Sequence, residues 1–347
     1  MHKLTFYPLG NADCCLIELA GGRKVLFDFA DVRAEGDPED LRIRLSEEVR
    51  KAVKEQGENP YFDAVAFTHL DNDHICKSSE FFYLEHAKKY QGEGRVKINE
   101  LWVPAAAVIE EGCTDEDRII RAEARYRVRA GKGIRVFSRP AKLKEWLEGE
   151  GLTIESRQHL ITDAGQTIPG FTVQGEGVEF FVHSPFAMRQ NETEVVDRNV
   201  DSLVVQATFV VNETATRVLF GSDLDHGAIS DIVNITKAKK REQRLESDVI
   251  KLWHHCSYTA SHTFDVAYDL PAEEKLETIS SSKLLPAQRF GERHPTVVEE
   301  PMSSRPDFVC KSFPSRQLSP QAFKMAKIDL VISGTLRWRS APDEAGS

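Results

Sequence analysis

Residues 67 to 75 read FTHLDNDHI, which puts two histidines and two aspartates into six positions directly after an apolar run. Carboxylate and imidazole are the donors that borderline and hard divalent cations take, and a strand end is where a rigid scaffold can aim them into one cleft. Three more apolar runs end the same way: VLFDFA near Asp28, RVLFGSDLD on Asp223, and VIKLWHHCS on His254 and His255. A lone histidine is usually a packed or surface residue. Several strand ends delivering His and Asp to one place are hard to explain as packing, because buried carboxylates are costly unless paired or metal-bound.

The elements that must position these residues follow from the alternation of β-branched and aromatic runs with polar turns. Strands are expected near LTFYPL, CCLIEL, KVLFDF, DAVAFT, ELWVP, VEFFVH, SLVVQATFVV, RVLFGS, DVIKLW and IDLVIS, and helices near 40–56, 77–91, 115–129, 141–148 and 226–245. Hairpin-like strands at both ends with helices between them suggest an α/β fold of two sheets covered by helices. No repeat or linker divides residues 1–347, which read as one domain with an irregular insertion near 270–320, rich in Ser, Pro and Glu. A strand-end cleft also predicts solvent-facing ligands, so that replacing Asp73 or His74 should remove activity with little effect on the fold.

The chain has 347 residues, 41% of them hydrophobic, enough for a sizeable core. No apolar run approaches the roughly 18 residues needed to span a bilayer, and the start MHKLTFYPLG lacks the order of a signal peptide. The expected setting is the cytoplasm, away from membranes. Six scattered cysteines without CxxC spacing are expected as reduced thiols. A net charge of −10 argues against nonspecific coating of nucleic acid. Two basic runs could still supply a local groove. The run at 237–244 reads as a solvated helix face, whereas 121–139, with Tyr126 among its arginines, is open to two readings: such a face, or a track for a phosphate backbone.

In order along the chain, LGNADCCLIEL, VLFDFA, THLDNDH, NVDSLVV, LFGSDL and WHHCSYTAS resemble the metallo-β-lactamase fold hydrolases, and among them the soluble hydrolase domain of ComEC-type competence proteins. THLDNDH is similar to the family's His-x-His-x-Asp-His motif, with aspartate in the second ligand position. The resemblance implies an αββα sandwich with two divalent metal ions, zinc or manganese, on one edge. Matched by position, His69 and Asp71 would bind the first ion, Asp73 and His74 the second, Asp223 would bridge them and His254 would complete the second site. Asp13 and Asp28 match the acidic residues that support such a site. The third-motif histidine is absent, and Asn199 or Asp201 in NVDS stands in its place. A carboxylate-rich site leans towards manganese. HHCS stands where HHGS is common, with Cys256 expected as a small hydrophobe. His183 is expected to have no ligand role, and His294 in ERHPT is a further candidate contact with substrate.

What the resemblance implies chemically is hydrolysis of a phosphodiester in nucleic acid or a nucleotide by a metal-bridged hydroxide. Asp73 and His255 would be the catalytic residues, and His255 or Ser257 would meet the phosphate or protonate the leaving oxygen. Without a membrane channel, a stand-alone nuclease or phosphodiesterase is expected, with room for protein partners and no stated oligomeric state. Two alternatives are a lactone, thioester or β-lactam hydrolase, whose usual histidines are missing here, and a catalytically weak binding subunit of a larger complex, against which the retained ligands argue.

Overall fold

Valine and phenylalanine recur through the apolar runs, and such side chains pack well on a pleated surface. The computed structural model describes residues 1–40, 42–57, 59–188, 196–251, 253–256, 277–279, 328–333 and 336–340. The strands are β1 (His2–Phe6), β2 (Cys15–Glu18), β3 (Lys24–Phe27), β4 (Tyr61–Ala66), β5 (Phe82–Tyr83), β6 (Val96–Pro104), β7 (Ile134–Phe137), β8 (Ile161–Thr162), β9 (Val178–Ser184), β10 (Val204–Val211), β11 (Thr214–Phe220), β12 (Val249–Lys251), β13 (Glu277–Ile279), β14 (Ile328–Ile332) and β15 (Leu336–Ser340).

They form two sheets among the described residues. The larger runs β15-β14-β1-β2-β3-β4-β6-β7-β8 with β5 beside β6, and the smaller runs β13-β12-β11-β10-β9. From β3 through β8 the neighbours are parallel, and β11 and β12 are parallel in the second sheet. Parallel strands carry their carboxyl ends to one edge, which is where loops can assemble a site.

The sheets face each other across one apolar layer. Leu4, Phe6, Ile17, Val25, Phe27 and Trp102 from the larger sheet meet Phe180, Val182, Val205, Phe209 and Phe220 from the smaller. Phe27 stacks on Phe220 with ring centroids 4.6 Å apart, a contact that adds to the burial of both rings. Helices cover the outer faces. Helix Glu116–Ala130 buries Ile120, Ala124 and Val128 and stops at Gly131, whose φ of 73° suits a left-handed cap. Helix His226–Ala238 covers the other sheet and begins at Asp225, whose carboxylate accepts from Ala228 N. The arrangement is an αββα sandwich, as expected. No described helix is long and apolar enough to cross a membrane.

One expected helix needs correction. Residues 77–91 do not make a helix: one turn, Ser78–Phe81, gives way to β5 and the 3-10 turn Lys88–Tyr90. Phe81, Phe82, Leu84 and Tyr90 all enter the core, and the Glu123 carboxylate accepts from Glu85 N and His86 N, which holds the backbone out of helical geometry. In the expected insertion, the only described residues are Glu277–Ile279, and they form a strand parallel to β12.

In the basic stretch 121–139, Tyr126, Arg129 and Lys132 are exposed, and the arginines are engaged with carboxylates of the chain itself. Arg121 and Arg125 pair with Glu111, Arg129 with Glu150, Arg135 with Glu100 and Arg139 with Asp163. Arg127 is buried, bonded to Glu123 at 2.7 Å and donating to the Ile98 and Gly133 carbonyls. These cations brace the helix Glu116–Ala130 and β7 against their neighbours. β7 itself went unread because Arg135 interrupts its apolar pattern, yet it is buried through its pair with Glu100.

Candidate metal centre

At the end of β3 the backbone turns through Asp28, whose φ is 57°. The turn folds the Asp28 carboxylate back onto the next loop, where it accepts from Thr68 N at 2.8 Å, Thr68 Oγ1 at 2.9 Å and His74 Nδ1 at 2.9 Å. A carboxylate only accepts, so a neutral His74 ring holds its proton at Nδ1 and presents its lone pair at Nε2. His69 is set in the same way. Thr68 gives its proton to Asp28 and Ser222 Oγ gives its proton to Thr68 at 2.8 Å, so His69 Nδ1, 3.3 Å from both oxygens, is left to donate. Its Nε2 then carries the lone pair.

The loops after β11 and β12 close the cluster. Asp223 Oδ1 lies 3.3 Å from His74 Nε2, and its Oδ2 lies 3.3 Å from His255 Nε2. His255 Nε2 is also 3.3 Å from Asp73 Oδ2, while its Nδ1 faces Asp13 Oδ1 at 3.4 Å. Asp13 Oδ2 accepts from the buried Lys251 Nζ. Ligand atoms of Asp13, His74, Asp223 and His255 lie within 4.8 Å of one another, and so do those of His69, Asp73 and His74. The two groups share His74.

Buried His69 Nε2, His74 Nε2 and Asp223 Oδ1 have no hydrogen bond. Orphaned lone pairs converging from imidazole and carboxylate suit divalent cations, and the donor set fits two of them. The protonation balance agrees. Burial by itself lowers the pKa of His255, but Asp13, Asp223 and Asp73 outweigh it and raise it to about 11. Burial opposes charge on His74 too, yet Asp223 and Asp28 lift its pKa well above the usual imidazole range. Burial would raise Asp223, and the two imidazoles hold it well below the carboxylate range instead. The anions around these rings demand positive charge, which protons supply when no ion does.

The structure redistributes several expected roles. His69, Asp73, His74 and Asp223 come together as read from the sequence, with Asp28 orienting His74. His254 and His255 exchange places: both have left-handed φ, 46° and 49°, so consecutive side chains diverge. His255 is buried in the cluster, whereas His254 is partly exposed with Nε2 4.0 Å from Asp223 Oδ2. Asp71 is in neither group. Its Oδ1 accepts from Arg198 Nη1 at 3.0 Å and its Oδ2 stands 3.5 Å from His69 Nε2.

Asn199 and Asp201 are also outside both groups, although Leu203 N donates to Thr68 O at 2.9 Å and ties their segment beside the centre. His183 is buried on β9, which pushes its pKa down to about 4, and has no place in the cluster. Ser257, His294 and the Cys256 side chain lie outside the described residues. Lys251 and Arg198 were missed. A lysine inside the apolar run DVIKLW is the one signal that could have drawn attention to the first.

No protein-family model matches the chain, and no curated protein does. Among solved structures it is similar to the class B3 di-zinc metallo-β-lactamase LRA-12 from an Alaskan soil metagenome, at 12% identity and a TM-score of 0.31, covering 81% of this chain and 79% of that one. It is similar too to the metallo-β-lactamase GOB-18 from Elizabethkingia meningoseptica, at 12% identity and a TM-score of 0.31, covering 84% of this chain and 82% of that one. Likenesses this distant carry no argument about activity.

Proposed function

We propose that the chain is a metal-dependent hydrolase acting on phosphodiesters, with small nucleotide-like substrates favoured over long nucleic acid. One observation carries the reading: two groups of imidazole and carboxylate donors, buried except for Asp73, share His74 and include three orphaned ligand atoms. His69, His74, Asp73, Asp223 and His255 would hold two divalent cations, zinc or manganese. Bound there, the cations would supply Lewis acidity towards a phosphoryl oxygen and would acidify a water molecule.

The chain's own groups do the rest. Asp28 and Asp13 fix the ring orientations of His74 and His255. Asp73, with more than a third of its side chain exposed, sits at the opening and is the group placed to take a proton from attacking water. His254, also at the opening, is placed to contact the leaving oxygen or give it a proton, a role expected of His255 from the sequence. The Thr68 and Ser222 hydroxyls are buried and bonded within the cluster, so neither is offered as a nucleophile. Water is then the attacking group.

The preference for small substrates rests on the arginines of 121–139, each of which already faces a carboxylate of this chain. The test is a panel of p-nitrophenyl phosphodiester, cyclic nucleotide, DNA, RNA, lactone, thioester and β-lactam substrates with manganese, zinc and magnesium. Turnover of the phosphodiesters alone supports the reading. Turnover confined to the lactone, thioester or β-lactam overturns it in favour of the other hydrolase class, and no turnover with bound metal favours a binding subunit.

A further inference from the structure

We infer that Arg198 is a positioning residue that withholds Asp71 from the His69 side of the centre and so separates the two cation positions in affinity. The inference rests on the two-cation reading above. Arg198 Nη1 donates to Asp71 Oδ1 and to Leu70 O, both at 3.0 Å. Its Nε reaches Glu110 Oε1 at 2.8 Å and its Nη2 reaches Asp117 Oδ2 at 2.7 Å. One side chain thus ties the ligand-bearing turn to the loop at Glu110 and to the start of the helix Glu116–Ala130. Guanidinium stays charged at any working pH and its planar fork suits carboxylates, so the clamp is not released by titration.

A carboxylate with one oxygen held by guanidinium is partly neutralised and has at most its other oxygen to give. Charge is therefore unequal across the centre. Asp223 and Asp73 gather about His74 and His255, whereas the group containing His69 has Asp73 as its carboxylate; Asp71 lies outside it, with Oδ1 held by Arg198 at 3.0 Å and Oδ2 3.5 Å from His69 Nε2. Cation affinity rises with the number of anionic ligands, so the position at His255 fills first. Arg198 acts here through Asp71 and touches no reacting atom.

Calorimetric titration of metal-free protein with manganese and with zinc tests this, backed by metal content after dialysis. Wild type should bind one equivalent tightly and a second about tenfold or more weaker, the size of effect outer partners exert on metal affinity. Arg198→Gln should tighten the second equivalent by about tenfold and leave the first unchanged. Asp71→Asn, which removes no buried cation and keeps the shape, should change neither, and Arg198→Gln should lose its effect when made in the Asp71→Asn background. That dependence is what a merely structural arginine would not show. An Arg198→Gln effect that persists without Asp71, an unchanged second equivalent, or tenfold weakening by Asp71→Asn alone overturns the inference. Should Arg198→Gln not fold, the Asp71→Asn titration decides by itself. Two equal equivalents in wild type sink the inference and spare the hydrolase reading, whereas no cation binding sinks both.

Discussion

Lys251 Nζ donates a hydrogen bond to Asp13 Oδ2, and both residues are buried. The other oxygen of Asp13 faces His255 Nδ1 at 3.4 Å, so a chain of alternating charge runs from Lys251 through Asp13 and His255 to Asp73 and Asp223. Breaking a buried pair leaves an uncompensated charge, and Lys251→Met should cost the metal-free protein about 3 kcal/mol. Added manganese should recover part of the loss by supplying positive charge to the same cluster. Urea denaturation with and without the ion measures both effects. An unchanged midpoint in metal-free protein would mean that Asp13 finds its charge partner elsewhere.

Asp73→Ala and His74→Ala should both lose hydrolysis by about a hundredfold or more, but they should differ in stability. Asp73 stands at the opening with more than a third of its side chain exposed, and its removal should leave the denaturation midpoint close to wild type. His74 is fully buried and bonded to Asp28, so His74→Ala should cost roughly 2–4 kcal/mol through a cavity and the loss of one of the bonds that Asp28 accepts. The expectation that both ligands face solvent holds for Asp73 alone. Denaturation curves beside initial rates check the pair, and equal stabilities would contradict the burial of His74.

Metal-free protein should lose stability as pH rises. The pKa of His255 is lifted to about 11 in the folded state, against about 6.5 in an unfolded chain. Its contribution is therefore complete below about 6.5 and fades as pH climbs towards the folded value. The urea midpoint should fall steadily between pH 7 and pH 10, and His255→Gln should flatten that slope. Metal affinity should rise over the same range, since cations displace protons from the imidazoles. A midpoint that rises with pH in metal-free protein would reverse the sign and rule out a charged His255.

Arg127→Ala should act on stability and not on substrate. The buried pair with Glu123 makes the loss about 3–5 kcal/mol, whereas Arg125→Gln and Arg129→Gln should leave the salt dependence of binding to long nucleic acid unchanged. Glu123 adds an acid limb: burial would raise its pKa, but His86 and Arg127 hold it at about 2. Its contribution is present above the unfolded carboxylate value and disappears as pH falls towards 2. Flatter salt dependence in the Arg125 or Arg129 variants would support a phosphate track instead.

Local pattern made the strands and the ligand-bearing turns legible in the sequence. Short apolar runs that end on Asp and His need no distant information, and nine residues, FTHLDNDHI, already bring together His69, Asp73 and His74. Composition likewise pointed to helices near 115–129 and 226–245, and the structure has Glu116–Ala130 and His226–Ala238, the second ending before the 3-10 turn Glu242–Arg244. Segment 77–91 escaped this logic, since Glu123 from a later helix captures its backbone N–H groups. Tertiary structure alone decided which of His254 and His255 turns inwards, because two successive left-handed residues send adjacent side chains apart. It alone decided the partners of the charges as well. Lys251 and Asp13 are 238 positions apart in the chain, and Arg198 and Asp71 are 127 apart. A charge read in sequence has no visible counter-ion when its partner lies on a distant loop, and for these pairs the fold brings one within hydrogen-bonding reach.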